Sequence, residues 1–382
     1  MRDLDVVVYG ATGFTGRLVA EYLTRTGATR WAMAGRDMAK LEDVRDAVGA
    51  PADTPLITAD AADPASLRAL AERTTVVLTT VGPYQLYGSD LVGACAATGT
   101  AYVDLCGEPA WMRKMIDAHH DEARRTGARI VFSCGFDSIP FDLGVLTLQE
   151  AATTRYGRPA PRVKCRVRTM KGGFSGGTAA SLKATLAAAA RDPSLIKLLA
   201  SPFALTPGFS GPHQPTGLIP EYDSTIQAWV APFIMAAINT KNVHRTNFLL
   251  GAPYGADFVY DEMMVAGLGD IGKAAAEALA KINPFASDKG PKPGEGPSKE
   301  ERDGGSYDIL FAGLMPDGAR IDAVVTGDRD PGYGSTSKMI AETALLLSEG
   351  EQEGGIWTPG ALLGTALRDR LQAKAGLSFT AG

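Results

Sequence analysis

The stretch VVVYGATGFTG, residues 6–16, is an apolar β-rich run followed directly by a glycine-rich turn and the start of a helical pattern. Glycines between a strand and a helix are typical of a dinucleotide-binding turn, whereas the glycine pattern alone is a weak signal. They permit a close approach of the backbone, and the first helical turn presents free N–H groups to a pyrophosphate. A turn that only packs the strand on the helix is the alternative. We predict that six residues of this turn bind the cofactor: Gly10, Thr12, Gly13, Phe14, Thr15 and Gly16.

Beyond this turn, short β-rich runs alternate with helical patterns. The predicted strands cover residues 6–9, 31–34, 56–58, 76–79, 101–103 and 129–132, and the predicted helices cover residues 14–26, 38–48, 65–72, 90–97 and 110–125. Strands separated by helices of this length need right-handed crossovers and form a parallel, doubly wound sheet. The sequence therefore predicts an α/β fold with a Rossmann-type domain over residues 1–138.

After this region the regular alternation stops. Longer β-like runs, such as residues 163–170 and 258–264, are mixed with helical patterns. Residues 307–314 and 319–326 are predicted to form a hairpin, because a Pro-Asp-Gly turn lies between them. This mixture predicts a second, mixed α/β domain over residues 139–331, for substrate binding or dimerisation.

Three segments of this second half carry separate expectations. Residues 179–190 are expected to be helical. Residues 283–306, rich in proline, glycine, lysine and glutamate, are expected to form a long loop, either mobile or ligand-binding, and not a core element. An apolar face predicts a final helix over residues 337–348, which must bury that face against another part of the protein.

The composition limits the class of protein. Of 382 residues, 45% are hydrophobic and 21% are charged, which excludes wholesale disorder and a multispan membrane protein, and the formal net charge of -5 argues against a nucleic-acid partner. The cysteines form no CxxC pair and the histidines have no metal-ligand spacing, so neither a disulfide nor a metal site is expected.

The chain starts without a signal-peptide pattern, and its apolar segment 226–238 is shorter than the ~20 residues of a spanning helix. We therefore expect a cytoplasmic protein and leave open its association with a membrane surface.

The end of the second predicted strand bears on which dinucleotide is bound. Arg36 stands where an NAD-dependent enzyme carries a carboxylate for the ribose 2′-hydroxyl, and a guanidinium there suits the 2′-phosphate of NADP(H). The alternative is that Arg36 is a solvated residue and Asp37 the ribose ligand, although Asp37 is better placed to cap the following helix. Asp60, after the third strand, is in range of the adenine amino group or is a plain turn aspartate. We predict NADP(H) as the cofactor, with Arg36 and Asp60 among its ligands.

Three further loops follow the fourth, fifth and sixth predicted strands. Ligands in open α/β sheets bind outside the carboxyl ends of the strands, so these loops are expected to meet where the nicotinamide and the substrate lie. The predicted cofactor residues are Gly82, Pro83 and Gly107, and the predicted substrate residues are Glu108, Asp137 and Ser138. Ordinary turn geometry and helix capping are the alternative roles. No tyrosine is followed four residues later by lysine, which excludes the proton-transfer pair of short-chain dehydrogenases.

Several sequence blocks occur in the order found in a known family and span nearly the whole chain: residues 10–16, 81–84 with Gly88, 102–108, 135–140, 175–178, 291–298, and 332–333 with Thr336. On these blocks the chain resembles the saccharopine dehydrogenase-like oxidoreductases, and within them the bacterial trans-acting enoyl reductases. The resemblance implies an NADP-binding Rossmann domain and a second domain inserted before a C-terminal segment, residues 332–382, that returns to the first. It also implies a functional role for the loop 283–306, which contains the block 291–298, and reduction of a thioester-linked lipid or polyketide. Saccharopine reductases need several arginines for a tricarboxylate substrate, and the candidate loops carry none.

The expected function is that of an NADPH-dependent enoyl reductase on an acyl thioester, with a carrier protein or a synthase as a partner. Such a reaction needs stabilisation of a thioester enolate and one proton, for which we predict Tyr84 as the donor. Apolar residues of the second domain suit either an acyl chain or ordinary core packing: Phe203, Leu205, Trp229, Phe233, Ile234 and Met235. Two alternatives are a reductase of an imine or a ketone, and a non-catalytic adaptor that binds NADP and contacts lipid or protein. A homodimer is left open.

Overall fold

The computed structural model describes residues 2–172, 190–282 and 295–382, together with positions 181, 184, 185, 187 and 188. The strands, in chain order, are β1 (Leu4–Tyr9), β2 (Trp31–Gly35), β3 (Leu56–Thr58), β4 (Thr74–Thr79), β5 (Ala101–Val103), β6 (Arg129–Val131), β7 (Arg162–Lys171), β8 (Glu221–Asp223), β9 (Ala228–Pro232), β10 (Val259–Gly267), β11 (Ser306–Leu314), β12 (Arg320–Gly327), β13 (Gly355–Trp357) and β14 (Leu377–Ala381).

The helices that the structure describes over their full length are, in chain order, α1 (Phe14–Arg25), α2 (Met38–Ala47), α3 (Pro64–Arg73), α4 (Tyr84–Tyr87), α5 (Ser89–Thr98), α6 (Pro109–Thr126), α7 (Ile139–Tyr156), α8 (Ser194–Ala200), α9 (Ala236–Leu249), α10 (Gly269–Leu279), α11 (Lys299–Asp303), α12 (Thr336–Glu349), α13 (Pro359–Leu362) and α14 (Gly364–Lys374). A short π-helix, Pro331–Ser335, leads into α12.

The first sheet is parallel throughout and has the strand order β13-β6-β5-β4-β1-β2-β3. The chain moves outward in one direction from β1 to β3 and in the other from β4 to β13, which makes the sheet doubly wound. Helices cover both faces: Val6 and Val8 of β1 pack in one core cluster with residues of α1 and α12, and Val7 packs in a second cluster with residues of α3 and α5. Burial on both faces explains the unbroken apolar run of β1. The predicted Rossmann-type sheet is confirmed.

The second sheet is mixed and has the strand order β14-β12-β11-β7-β10-β9-β8. Its strands pair antiparallel except β7 and β10, which run parallel. The predicted hairpin is β11 and β12, and Gly318 in its turn has φ +87°, a conformation that favours glycine. Helix α7 packs closely on this hairpin, since a Cβ at Gly144 would lie 2.4 Å from the Phe311 ring. The prediction of a second, mixed α/β part of the fold is confirmed, and this mixed sheet is its centre.

The C-terminal residues contribute to both sheets. The helix predicted over residues 337–348 is α12, which packs against α1 and β4. The expectation that it is the final helix is wrong, because α13 and α14 follow it. Strand β13 then pairs with β6 of the first sheet, and β14 pairs with β12 of the second. The division into residues 1–138, 139–331 and 332–382 stays a prediction.

Part of the predicted loop 283–306 is regular structure, contrary to the expectation. The Ser298 hydroxyl accepts the backbone N–H of Glu301, and the Glu301 carboxylate accepts the backbone N–H of Ser298, which together start helix α11. Ser306 is already the first residue of β11. Four predictions lie wholly or partly outside the described residues: the remainder of this loop at 283–294, the blocks 175–178 and 291–298, and the helix over residues 179–190.

All four cysteines are free and buried. Burial raises the pKa of each thiol above its usual range, so the thiols stay protonated at neutral pH. In the described part of the chain, no helix combines the length and the apolar character needed to cross a membrane.

Candidate functional site

The glycine-rich turn between β1 and α1 brings three backbone segments into close contact. Gly10 has φ +89°, and a Cβ there would lie 2.7 Å from Val81 Cγ2. A Cβ at Gly16 would lie 2.1 Å from the carbonyl oxygen of Gly10, so only glycine permits this contact between the helix and the turn. Gly13, the residue before α1, offers no side-chain acceptor to the first helical turn. A compact turn facing uncapped N–H groups fits the pyrophosphate of a dinucleotide.

The residues after β2 and β3 have distinct surroundings. Arg36 is exposed at the end of β2. Asp37 caps α2, as expected: its carboxylate accepts the backbone N–H of Lys40 at 3.2 Å, which lowers the pKa of Asp37. The Asp60 carboxylate accepts the backbone N–H of Ala62 at 3.0 Å. This is the hydrogen bond of a turn aspartate, which was one of the two roles predicted for Asp60. Asp37 is therefore engaged as a helix cap, and Arg36 as a ligand of a 2′-phosphate stays a prediction.

Glu108 joins the loop after β5 to the loop after β4. Its side chain is 2% exposed, and its two carboxylate oxygens accept the backbone N–H groups of Tyr84 and Gln85, each at 2.9 Å. The carboxylate thereby satisfies the first N–H groups of the short helix α4, which has no side-chain cap from its preceding residue. The predicted substrate residue Glu108 thus has a clear positioning contact within the protein.

Tyr84, the predicted proton donor, is buried at the same junction. Its hydroxyl lies 3.4 Å from the carbonyl oxygen of Thr79, to which it donates, and accepts the backbone N–H of Leu105 at 3.1 Å. Burial, with the nearby Asp104 carboxylate as the next cause, holds the pKa of Tyr84 well above its usual range. The hydroxyl proton is therefore retained at neutral pH and has a backbone partner.

Asp104 ties the loop after β5 to the loop after β6. Its Oδ1 atom accepts the backbone N–H groups of Ser133 at 2.9 Å and Cys106 at 3.0 Å, and its Oδ2 atom accepts the hydroxyl of Tyr102 at 2.9 Å. Burial raises the pKa of Asp104 to about 7. Together with Glu108, Asp104 connects the three loops that the sequence predicted to meet.

Ser138, which follows Asp137 in the loop after β6, contacts a polar cluster from the second half of the chain. Asn242 of α9 donates from Nδ2 to the Ser138 hydroxyl at 2.8 Å. Beside it, Asn239 donates to the Glu262 carboxylate at 3.0 Å, and all three of these second-half side chains are almost fully buried. Burial raises the pKa of Asp137 to about 7, and burial, with a contribution from Asp137, raises that of Glu262 well above its usual range. Both buried carboxyl groups therefore keep their protons to a higher pH than an exposed carboxyl group does.

This cluster contains buried oxygen atoms without a hydrogen-bond donor. The Oδ1 atoms of Asp137, Asn239 and Asn242 have no partner among the described residues. Buried polar atoms of this kind are rare in folded proteins, and they are expected where a ligand or an ordered water supplies the partner. The cluster was missed by the sequence analysis, because Asn239, Asn242 and Glu262 lie in no motif and are brought together only by the fold.

The start of α12 also reaches the site. Phe136 donates its backbone N–H to the Thr336 hydroxyl at 2.9 Å, and a Cβ at Gly135 would lie 2.9 Å from Thr336 Cγ2. Tyr333 of the π-helix packs edge-on against Phe14 of the glycine-rich turn, with ring centroids 5.1 Å apart. The C-terminal segment therefore contacts the turn after β1 and the loop after β6.

A cavity of about 180 Å³ opens beside Glu108 and is lined in part by Gln85, Trp111 and Lys114. Of the six apolar residues considered for an acyl chain, Leu205 and Phe233 are buried in the protein core. Ordinary core packing therefore accounts for these two.

Comparison with known proteins identifies the relatives of this chain. The profile of the saccharopine dehydrogenase NADP binding domain matches residues 6–131. Over 99% of its length the chain is 43% identical to a Mycobacterium tuberculosis H37Rv protein whose name assigns it provisionally to the trans-acting enoyl reductases, and it covers 97% of that protein. Over 97% of its length it is 37% identical to the trans-acting enoyl reductase of Mycobacterium leprae, of which it covers 96%.

Solved structures with the same architecture include the apo saccharopine dehydrogenase (L-Glu forming) of Saccharomyces cerevisiae, with a TM-score of 0.55, 10% identity and coverage of 99% of this chain and 100% of that one. The amine dehydrogenase of Mycobacterium smegmatis has a TM-score of 0.50 and 14% identity, over 94% of this chain and 96% of that one. At such identities the likeness shows the fold alone. On its full-length relatives, the chain belongs to the trans-acting enoyl reductase family of saccharopine dehydrogenase-like oxidoreductases, with a nicotinamide-cofactor domain of the NADP-binding type.

Proposed function

We propose that this protein is an NADPH-dependent enoyl reductase that acts on a lipid or polyketide thioester. The observation that carries the proposal is the 37–43% identity, over essentially the full length, to relatives named trans-acting enoyl reductases. Two further observations support it. The first domain matches an NADP-binding profile, and a buried polar cluster with unpartnered oxygen atoms lies at the carboxyl edge of its sheet, where a reductase would enclose its substrate.

The proposed cofactor site follows the carboxyl edge of the first sheet. The turn residues Gly10, Thr12, Gly13, Phe14, Thr15 and Gly16 would hold the pyrophosphate. Arg36 would pair with the 2′-phosphate and Asp60 would face the adenine, while Gly82, Pro83 and Gly107 would line the nicotinamide side. NADPH bound in this way supplies a hydride to the β-carbon of the unsaturated thioester.

The chain itself must stabilise the enolate of the thioester and deliver one proton to the α-carbon. Tyr84 is the proposed donor, and it would have to exchange its bond to the Thr79 carbonyl for one to the substrate. Asp137 is a second candidate donor, because a pKa near 7 keeps part of its carboxyl protonated at neutral pH. Glu108 and Ser138 complete the proposed substrate contacts, with Glu108 holding the α4 backbone in place.

The proposed substrate is apolar and linked to a carrier. The candidate loops lack the several arginines that a tricarboxylate amino acid needs, which disfavours an amino-acid substrate. A carrier protein or a synthase is the proposed partner that presents the thioester, and a homodimer and association with a membrane surface stay open. The alternatives are a reductase of an imine or a ketone and a non-catalytic adaptor.

A panel assay separates these functions. The purified protein is mixed with NADPH and, in turn, an α,β-unsaturated acyl thioester, the matching β-keto thioester and an imine, and NADPH oxidation is followed by absorbance. We expect oxidation only with the unsaturated thioester and formation of the saturated product. Turnover confined to the ketone or the imine would support the first alternative, and binding of lipid without any turnover would support the adaptor. Gly16→Val, which places a side chain against the Gly10 carbonyl, serves as a control that should abolish the activity.

A further inference from the structure

The segment that precedes β11 folds onto the glycine-rich turn of the first domain. A Cβ at Gly296 would lie 2.4 Å from the Phe14 ring, so the backbone of residue 296 rests directly on that ring. On the following helix α11, the Arg302 guanidinium carbon lies 5.6 Å from the centroid of the same ring. A cation from the second half of the chain is therefore held over the first residue of α1, where the proposed pyrophosphate site begins.

Several contacts fix Arg302 in this position. Helix α11 is started by the Ser298 and Glu301 capping box. Arg302 donates from Nη1 to the carbonyl oxygen of Pro297 at 2.6 Å, and its own carbonyl oxygen accepts the backbone N–H of Asp330 at 3.0 Å. The side chain is only half-buried, yet its backbone and its Nη1 group are both anchored. The guanidinium is thus positioned before any ligand binds.

The charge of Arg302 is not neutralised by an ion pair in the described part of the chain. Of the nearby acidic groups, Asp303 pairs with Lys299 and Arg329. Asp330 directs its carboxylate to the backbone N–H groups of residues 333 and 334, at 3.1 and 2.6 Å. A positioned guanidinium that forms no ion pair with a described carboxylate and lies over the first residue of α1 is suited to bind an anion.

We infer that Arg302 is a second cation of the cofactor site and donates hydrogen bonds to the pyrophosphate beside the first turn of α1. The inference rests on the proposed binding of a dinucleotide. Arg302 lies in the second half of the chain, and the pyrophosphate that it would contact is present in both NADPH and NADH. Arg302 therefore contributes to affinity for both dinucleotides, whereas Arg36 contributes to the choice between them.

The test measures dissociation constants by calorimetry for NADPH, NADH and 2′-AMP, which has the 2′-phosphate but no pyrophosphate. Arg302→Met should raise the constants for NADPH and NADH by the same factor, roughly ten- to one-hundred-fold, as expected for a charge-assisted hydrogen bond. The constant for 2′-AMP should not change. Arg329→Met is the matched control, because Arg329 pairs with Asp303 and Asp328, and it should leave all three constants unchanged.

Two results would overturn the inference. One is unchanged affinity of Arg302→Met for both dinucleotides while the wild-type protein binds them. The other is a change in the ratio of NADPH to NADH affinity, which would place the guanidinium on the 2′-phosphate. If the wild-type protein binds neither dinucleotide, the proposed function fails first and the inference falls with it. Arg302→Lys, which keeps the charge without the planar group, should recover part of the affinity and covers the case that Arg302→Met is unstable.

Discussion

Replacing Glu108 by alanine should destabilise the junction between the loops after β4 and β5. The carboxylate is almost fully buried and accepts two backbone N–H groups at 2.9 Å. A hydrogen bond to a charged group contributes about 1.5 to 3 kcal/mol, and its loss leaves a backbone N–H without a partner. Taking the lower value for each bond, because Gln85 is only partly buried, Glu108→Ala should lower the free energy of unfolding by about 3 kcal/mol. Glu108→Gln keeps one acceptor oxygen and should lower it by about half as much.

Urea denaturation followed by tryptophan fluorescence measures this effect, since Trp111 lies close to the junction. Glu72→Ala is the matched control: Glu72 is exposed and, among the described residues, pairs with Arg68 alone, so its loss should change the free energy of unfolding by less than about 0.5 kcal/mol. If Glu108→Ala unfolds at the urea concentration of the wild-type protein, the carboxylate does not hold the two loops together and the structural account of this junction is wrong.

Three further predictions concern the cofactor, the proton donor and pH. Arg36→Ala should weaken NADPH binding by roughly ten- to one-hundred-fold and leave NADH binding unchanged in calorimetry, whereas Arg30→Ala, at the opposite end of β2, should change neither. Tyr84→Phe should lower kcat by at least about one-hundred-fold without weakening NADPH binding, and the exposed Tyr87→Phe should behave as wild type; equal kcat values would exclude Tyr84 as the donor. Because the pKa of Asp137 is raised to about 7, the folded protein holds a proton that the unfolded chain has released above about pH 4, so stability should fall between about pH 4 and 7. Asp137→Asn should reduce that slope, by up to about 1.4 kcal/mol per pH unit, in urea titrations at several pH values.

Local sequence signals predicted the first sheet well. The order of strand, glycine-rich turn and helix at residues 6–16 depends on contacts between neighbouring residues, and the predicted strands agree with the observed ones to within about two residues. The helix cap at Asp37 could also be predicted from local sequence, because a carboxylate that precedes a helix finds its backbone N–H partner within three residues. Such features need no knowledge of the tertiary structure.

The C-terminal strands and the polar cluster could not be predicted in this way. Strand β13 has only three residues, and it is a strand because β6, more than 200 residues earlier, offers it a free edge. Asn242 contacts Ser138 across more than 100 residues, and no spacing rule connects the loop after β6 with Asn239, Asn242 and Glu262. These features depend on how the two sheets pack together.

One omission was avoidable. Ser298 and Glu301 have the spacing of a capping box, which predicts the start of a helix, but the surrounding prolines and glycines led to the prediction of a loop through residue 306. That short helix carries Arg302, and its contact with Phe14 joins the second half of the chain to the proposed cofactor site.

The destination of the hydride tests the central claim most directly. NADPH carrying deuterium at the transferable C4 position is incubated with the protein and an α,β-unsaturated acyl thioester, and the product is examined by mass spectrometry and NMR. An enoyl reductase places one deuterium on the β-carbon of a saturated thioester and takes the α-hydrogen from solvent. Recovery of unreacted thioester would contradict the account if the same protein transfers deuterium to the carbonyl carbon of a β-keto thioester or to the carbon of an imine supplied in its place.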